Sequence, residues 1–285
     1  MLKGYRIENL IIPIILVILM ALFQPFLPKI SHSKEPDSSI SKNESNPKFE
    51  LAKSIYLKYH EDSNNLFRSI DILREILREN PNDIKALILT SRIWLTYGFA
   101  SAPIKEERIK AFKNGKEIGK RAVESDPKNP DAHFYYVANL SSLGYAQGII
   151  NSLFMLPHVR SEVETILELD PNHVFGTAMQ GTMLTYLPSI LGGDLKLGEI
   201  YLRRAANLEP HTTSTKIYLG INLKRQKRYD EALKVFEEIM NEKDPTVYAD
   251  WHHNRRWAKW WMLKIKEEKT KGRKEPNPNR LTLQD

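Results

Sequence analysis

Residues 211–245, HTTSTKIYLGINLKRQKRYDEALKVFEEIMNEKDP, decide the fold of this chain. They predict two amphipathic helices that pack against each other as a hairpin. Leu219 and Gly220 fall in the first helix, and Ala232 and Phe236 fall in the second. Small residues at such positions let two helices approach closely, while the Phe236 ring fills the space between them. The segment is therefore interpreted as one helical hairpin.

Short phrases that end in proline recur before this hairpin. Their prolines are 46, 44, 39 and 35 residues apart, and the phrases are Glu79-Asn80-Pro81, Ser125-Asp126-Pro127, Leu169-Asp170-Pro171, Leu208-Glu209-Pro210 and Lys243-Asp244-Pro245. Proline ends a helix because it lacks an N–H and clashes with the preceding turn. Ala122 and Ala205 stand five residues before two of these prolines, where a small residue is expected, whereas Ile76 and Ile166 depart from the pattern. Such a period indicates stacked helical hairpins.

These features resemble the tetratricopeptide repeat (TPR) family over about residues 48–245. The resemblance implies an all-α fold, a right-handed TPR-like superhelix of four or five helical hairpins (an α-solenoid). We expect the helical repeat domain at residues 49–245, an aromatic and basic capping helix at 246–268, and a disordered basic tail at 269–285.

A second resemblance is carried by residues 186–210, YLPSILGGDLKLGEIYLRRAANLEP, and by residues 134–140, FYYVANL. Both are similar to the TatT-type family, periplasmic TPR proteins that are associated with TRAP transporters of small organic ligands. The resemblance implies a ligand-accessible cavity and a solute-binding protein as partner. A lipoprotein member would carry a cysteine, and this chain has none.

The N-terminal residues 1–28 predict a membrane signal. Leu10 to Leu27 (LIIPIILVILMALFQPFL) is uncharged and almost wholly apolar, and Lys3 and Arg6 precede it. About 20 apolar residues span a bilayer core, so an uncleaved signal anchor is favoured and a cleaved signal peptide is the alternative. We expect a flexible linker at 29–48 and an extracytoplasmic repeat domain, anchored to the inner membrane or secreted to the periplasm.

Charge and composition exclude several classes of function. The net charge of +7 lies in residues 251–274, which hold nine Lys and Arg and two Glu, so the remainder is balanced. A nucleic-acid groove would spread cations along a face, and no nucleic-acid partner is expected. The absence of cysteine excludes disulfides, thiolate zinc sites and a cysteine nucleophile. No catalytic, cofactor or metal motif occurs, and we expect neither an enzyme nor a metal site.

Three groups of residues are candidates for binding or for shaping the fold. A set of mainly aromatic residues on inner helices and at insertion edges either packs in the core or lines an amphipathic cavity: Trp94, Tyr97, Tyr135, Tyr136, Asn139, Tyr145 and Tyr186. The apolar insertion 144–158 either covers core or contacts a ligand. Gly192 and Gly193 predict a turn, and Asp194 predicts a cap for the following helix.

The predicted capping helix has two interpretations. Its aromatic face packs on the last repeat and its basic face meets water, or else its tryptophans and cations contact an anionic membrane or an acidic partner. The residues concerned are Arg255, Arg256, Trp257, Lys259 and Trp261, with Trp257, Trp261 and Ile265 on one stripe.

The sequence as a whole predicts a non-catalytic envelope protein that binds a protein partner through its superhelix. A transport component with its small organic ligand is one such partner. The alternative is a structural or assembly scaffold for a cell-envelope complex, without a small ligand.

Overall fold

The computed structural model describes residues 46–273 of the chain. This part contains eleven α-helices and one 3-10 helix, Ser189–Leu191, so the all-α prediction is confirmed there. The helices are α1 (Pro47–Tyr56), α2 (Asn64–Glu79), α3 (Ile84–Ala100), α4 (Lys105–Ser125), α5 (Pro130–Gln147), α6 (Ile149–Leu169), α7 (Val174–Tyr186), α8 (Leu195–Leu208), α9 (Thr213–Arg225), α10 (Tyr229–Asn241) and α11 (Tyr248–Arg273).

The predicted signal segment 1–28, nearly all of the linker 29–48 and the end of the tail lie outside the described residues. Within residues 46–273, no helix combines the length and the apolar character that crossing a membrane requires. The first helix begins at Pro47, two residues before the predicted domain boundary. The last helix continues to Arg273, beyond the predicted end at residue 268, and the Lys269 ammonium there pairs with Asp230 of α10.

The proline phrases both end one helix and begin the next. Each of the first three prolines is followed two residues later by the capping residue of an odd-numbered helix. The side chains of these capping residues accept hydrogen bonds from first-turn N–H groups: Asp83 from Ala86, Asn129 from Ala132, and His173 from Gly176. Such caps satisfy donors that a helix start leaves unpaired. The phrase that the sequence repeats is therefore the connection between hairpins.

Consecutive helices form the hairpins α1–α2, α3–α4, α5–α6, α7–α8 and α9–α10, with α11 packed on the last one. Odd-numbered helices also contact one another in succession, as α1 with α3, α3 with α5, α7 with α9 and α9 with α11. Even-numbered helices pack mainly on odd-numbered ones. The odd-numbered helices therefore form the inner face of the solenoid, and the even-numbered helices form its outer layer.

The hairpin predicted from residues 211–245 is α9 and α10. Ala232 and Phe236 are fully buried, and Leu219 is buried beside them. A Cβ built on Gly220 would lie 2.5 Å from the Phe236 ring, so the absent side chain is what allows the ring to enter. Ala122 and Ala205, at the ends of α4 and α8, are also fully buried.

A buried amide joins neighbouring hairpins at two equivalent places. Asn139 of α5 donates to the Ser91 carbonyl of α3 at 3.1 Å. Asn222 of α9 donates to the Thr185 hydroxyl of α7 at 2.7 Å and to the Leu195 carbonyl at 3.0 Å. Both amides are fully buried. Because a buried amide is stable only when it is hydrogen-bonded, each one fixes the position of an inner helix relative to the preceding hairpin.

The last helix also contacts the first hairpin. The Tyr59 hydroxyl donates to Asp250 Oδ1 at 3.0 Å, across 191 positions of sequence. Arg92 Nη2 donates to Asp250 Oδ2 at 3.2 Å. Ala249 is fully buried in the apolar core of α1 to α3. Solenoid repeats ordinarily contact only their neighbours, so this set of interactions, the closing contact, joins the two ends of the array.

Candidate partner-binding face

The closing contact is a network of largely shielded polar groups. Arg92 Nε donates to the Tyr56 hydroxyl at 3.0 Å, and the Arg92 guanidinium lies 5.3 Å from the centre of the Tyr56 ring. The same hydroxyl lies 3.1 Å from that of Thr96. Burial raises the pKa of the Tyr59 phenol well above its usual value, and the Asp250 carboxylate raises it further. Tyr59 therefore stays protonated and donates to Asp250 throughout the physiological pH range.

A cavity of about 180 Å³ lies beside the closing contact on the inner face. Its wall combines the guanidinium of Arg92, the carboxylates of Asp250 and Glu209 and several hydroxyl groups. Much of this wall is already hydrogen-bonded, since Glu209 accepts from the Thr246 hydroxyl at 3.1 Å. Pockets for drug-sized ligands usually measure about 300–1,000 Å³, so this one is smaller than usual.

A second group of inner-face side chains, the inner-face cluster, is accessible except at Tyr218, which is partly buried against the core of the last hairpin. It consists of Tyr145 (α5), Tyr186 (α7), Tyr218 (α9) and Arg225 (α9). Tyr145 is 82% exposed and Tyr186 is 49% exposed, and the Arg225 guanidinium lies 5.4 Å from the centre of the Tyr186 ring. Burial, with smaller contributions from the nearby Tyr218 and Tyr145, raises the pKa of Tyr186 to about 12 despite the opposing effect of Arg225. The cluster offers aromatic faces, neutral hydroxyls and one cation.

Two of the predicted site residues belong to this cluster, namely Tyr145 and Tyr186. Trp94 and Tyr97 lie elsewhere, because both pack edge-on against the Phe67 ring of α2, at 6.1 and 4.9 Å between ring centres. The Tyr97 hydroxyl also donates to Glu107 of α4. These two aromatic residues therefore join the first and second hairpins.

The other three predicted residues hold α5 in place. Tyr135 is buried, and the Tyr136 hydroxyl lies 2.8 Å from His158 Nε2 of α6. Asn139 is the fully buried amide that bonds to Ser91. Tyr135 and Asn139 of α5 thus face the packed interior, whereas Tyr145, near the end of the helix, is exposed to solvent.

The basic residues of α11 also divide between two sides of the helix. Trp261 packs against the core of the last hairpin, with the Lys224 ammonium 5.6 Å from its ring centre, and Ile265 is fully buried. Arg255 covers the Trp251 ring at 4.5 Å. The predicted stripe of Trp257, Trp261 and Ile265 is therefore wrong at Trp257. The buried residue at that level of the helix is Ala258.

Trp257 is 42% exposed, beside the exposed Arg256 and Lys259. The structure therefore leaves three of the five predicted contact residues of α11 accessible.

The predicted turn before α8 has the expected geometry. Gly192 has a φ of +76°, which favours glycine. Asp194 Oδ1 accepts hydrogen bonds from the N–H groups of Lys196 at 2.9 Å and Leu197 at 3.0 Å, so it caps α8. A Cβ on Gly193 would lie 1.8 Å from the Leu187 carbonyl oxygen. This turn is packed against backbone and has no room for a bound group.

The sequence does not predict the residues of the closing contact, because they come together only when the array closes. Arg92, Asp250 and Tyr59 stand in different repeats, and no spacing rule connects them. Arg225 and Tyr218 were also missed, although they lie on α9 within the best-matched hairpin. Among the residues that the structure describes, no three histidine or acidic side chains approach closely enough to hold a metal ion.

One family model and several solved structures are similar to this chain. A family model described as "Regulator of microtubule dynamics protein 1-3" matches residues 49–183, which extend from α1 into α7. No curated protein matches the chain. A thermophilic TPR protein of Thermus thermophilus is 18% identical, covers 76% of this chain and 98% of its own, and superposes with a TM-score of 0.56.

Two further solved structures share less of the geometry. Pseudomonas aeruginosa pilF is 14% identical, with 77% of this chain and 93% of its own covered and a TM-score of 0.43. The TPR protein YrrB, described as having an unusual peptide-binding site, is 14% identical, with coverages of 78% and 91% and a TM-score of 0.39. The likeness to the Thermus protein confirms that this chain has a TPR-like fold.

Proposed function

We propose that the chain is a non-catalytic scaffold that binds a protein partner through the inner-face cluster. Folds of the TPR type generally bind protein partners. The observation that carries the proposal is the accessible Tyr186 ring, which the Arg225 guanidinium covers and the exposed Tyr145 accompanies. Tyrosine and arginine are enriched among the residues that dominate binding energy at protein interfaces.

The chemistry of the cluster favours an extended segment with both apolar and acidic groups. Aromatic faces bury apolar side chains, and tyrosine hydroxyls remain available as hydrogen-bond partners. Within the described residues, no carboxylate is paired with Arg225, so its charge is available to an acidic side chain. Arginine forms directional hydrogen bonds with carboxylates, so a contact between Arg225 and an acidic side chain of the partner would add specificity as well as affinity.

We further propose that the partner belongs to the cell envelope and that the repeat domain lies in the periplasm. The support is the sequence alone, namely the apolar segment 10–27 and the TatT-like phrases in residues 134–140 and 186–210. In this form of the proposal the partner is a transport component with its small organic ligand. The alternative is an assembly scaffold that needs no small ligand. Transport-linked binding requires the ligand to change partner affinity, whereas a scaffold binds equally well without it.

The test uses crosslinked membranes that contain the full chain. Replacing Tyr186 by alanine and Arg225 by glutamine should deplete a specific crosslinked protein by about tenfold or more, the loss expected when an interface hot spot is removed. The matched control changes Trp260 and Lys264 on α11 to alanine and glutamine. That pair likewise places a cation over an exposed aromatic ring, with the ammonium 5.9 Å from the ring centre and Trp260 49% exposed, but Lys264 also pairs with Glu267.

Equal recovery with the Tyr186 and Arg225 variant would reject the inner-face cluster as the binding site. Loss with the α11 variant alone would assign binding to the exposed aromatic and basic side of α11.

A second candidate follows from the family match over residues 49–183. The matched family is described as a regulator of microtubule dynamics. The second class of partner is therefore a filament-forming protein such as tubulin. Cosedimentation of the full chain with polymerised and unpolymerised tubulin distinguishes this candidate. The filament candidate would be favoured over an envelope partner if the chain sediments with polymerised tubulin only and the Tyr186 and Arg225 variant does not.

A further inference from the structure

One end of the solenoid carries six of the large apolar side chains that the packing leaves exposed in the described residues. The connections within hairpins α3–α4, α5–α6 and α7–α8 all lie at this end, because the hairpins stack side by side in the same direction. The exposed residues there form the apolar edge: Phe99, Ile104, Ile149, Ile150, Phe154 and Ile190.

The centre of the apolar edge is the tip of the α5–α6 hairpin. Phe154 is 82% exposed and Ile149 is 75% exposed, so the apolar insertion covers little core at these positions. A single residue, Gly148 with a φ of +116°, connects the two helices. The tip is therefore a short helical wedge rather than a flexible loop.

The wedge projects beyond the following hairpin α7–α8, whereas the preceding hairpin α3–α4, with helices of 17 and 21 residues, reaches about as far. Helices α5 and α6 have 18 and 21 residues, whereas α7 and α8 have 13 and 14. The capped starts of α5 and α7 lie at the opposite end, so the additional residues extend the edge. At 1.5 Å per residue, five further residues project the tip by about 7 Å. Helices that lie in a membrane interface bury their apolar face by a similar depth, about 5–10 Å.

The wedge itself is uncharged, and its margin carries both signs of charge, since Glu106 and Glu107 stand between Lys105 and Arg108 in the first turn of α4. No Asp, Glu, Lys or Arg occurs between Ala132 and Val159. Lys105 and Arg108 begin α4 beside Ile104, and Lys227 lies in the α9–α10 connection at the same end. None of these three cations is paired with a carboxylate within the described part of the chain. An uncharged wedge with cations at its margin complements the acyl region and the anionic headgroups of a bilayer.

We propose that the apolar edge docks on an anionic lipid bilayer, with Ile149, Ile150 and Phe154 entering the headgroup and acyl boundary. The edge consists of hairpin tips, and the uncharged apolar tip of α5–α6 suits the boundary between headgroups and acyl chains. Residues 28–45 could extend over about 60 Å, at 3.3–3.6 Å per residue. A tether of that length permits docking beside a membrane that holds the segment 10–27. This surface adjoins the inner-face cluster at Tyr145, three residues before Gly148. The two proposals are tested separately, because the changes at positions 150 and 154 leave the residues of the cluster in place.

The absence of native cysteine allows the test to use single labels on the full chain in vesicles. A cysteine replaces Ile150 and carries an environment-sensitive fluorophore; the control cysteine replaces the exposed Lys128, in the α4–α5 connection at the opposite end. In vesicles with anionic lipid, we expect blue-shifted emission at position 150 and quenching by spin-labelled lipids, and neither effect at position 128. High salt should reduce the quenching, because it screens the cations at the margin.

A second variant measures the contribution of the wedge. Phe154→Ser in the labelled Ile150→Cys background should lower the docked-to-free ratio by about tenfold, because one large apolar side chain then no longer enters the lipid. Leu263→Ser, at an exposed site on α11, is the matched control and should leave the ratio unchanged.

Label environments that are equal at positions 150 and 128 would overturn the proposal. So would shielding of position 150 without lipid quenching. Such shielding would assign the edge to a second copy if it rises with the protein-to-lipid ratio, and to the chain's own segment 10–27 if it does not.

Discussion

Replacing Asp250 by alanine should destabilise both ends of the solenoid together. The Asp250 carboxylate accepts from Tyr59 and from Arg92, and the Arg92 and Asp250 side chains are 25% and 27% exposed. Its removal leaves a shielded guanidinium and a phenol without their partner. We expect a loss of about 2–4 kcal/mol in the free energy of unfolding, in the range seen when one partner of a shielded ion pair is removed.

The measurement is urea unfolding combined with hydrogen exchange. Exchange should accelerate both in α1 and in the first turns of α11, since the closing contact joins them. Asp230→Ala is the control: Asp230 also pairs with a cation, Lys269, but its side chain is 87% exposed. An exposed pair contributes about 0–1 kcal/mol. Faster exchange in α11 alone would show that the solenoid does not depend on closure.

Gly193→Ala should be the most destabilising glycine-to-alanine change in the described part of the chain. The new Cβ would lie 1.8 Å from the Leu187 carbonyl oxygen and 2.6 Å from its carbonyl carbon. Both are backbone atoms, and the same turn is held by the bond from Gly193 N–H to the Pro188 carbonyl at 3.0 Å. The backbone must therefore move, and we expect a loss of about 3 kcal/mol or more.

The adjacent glycine supplies the control for this prediction. Gly192 has a left-handed backbone at φ +76°, which costs a residue with a Cβ about 1–2 kcal/mol. Gly192→Asn should cost less than Gly192→Ala, since asparagine tolerates this conformation. Chemical denaturation of the three variants ranks them. Equal stabilities of Gly193→Ala and Gly192→Ala would refute a steric cause at position 193.

The apolar edge illustrates where sequence reasoning ended. The composition of residues 144–158 shows an apolar insertion with glycine and proline. Composition alone does not decide whether this insertion covers the core or contacts a ligand. The exposure of this tip depends on the length by which α5 and α6 exceed α7 and α8, which requires the boundaries of all four helices. The aromatic residues of α3 and α5 show the same limit, because only packing distinguishes Trp94, against Phe67, from Tyr145, in solvent.

The sequence by itself determined the helical hairpins, their proline-marked connections and the close approach of α9 and α10 at Gly220. These features are local, because capping, helix termination and the fit of one ring against one glycine act within a few tens of residues. Only the tertiary structure decided that Asp250 meets Tyr59, that Arg225 covers Tyr186, and that the apolar side chains gather at one end. Each of these depends on the superhelical path of the whole array, since small rotations between successive hairpins accumulate before distant residues can meet.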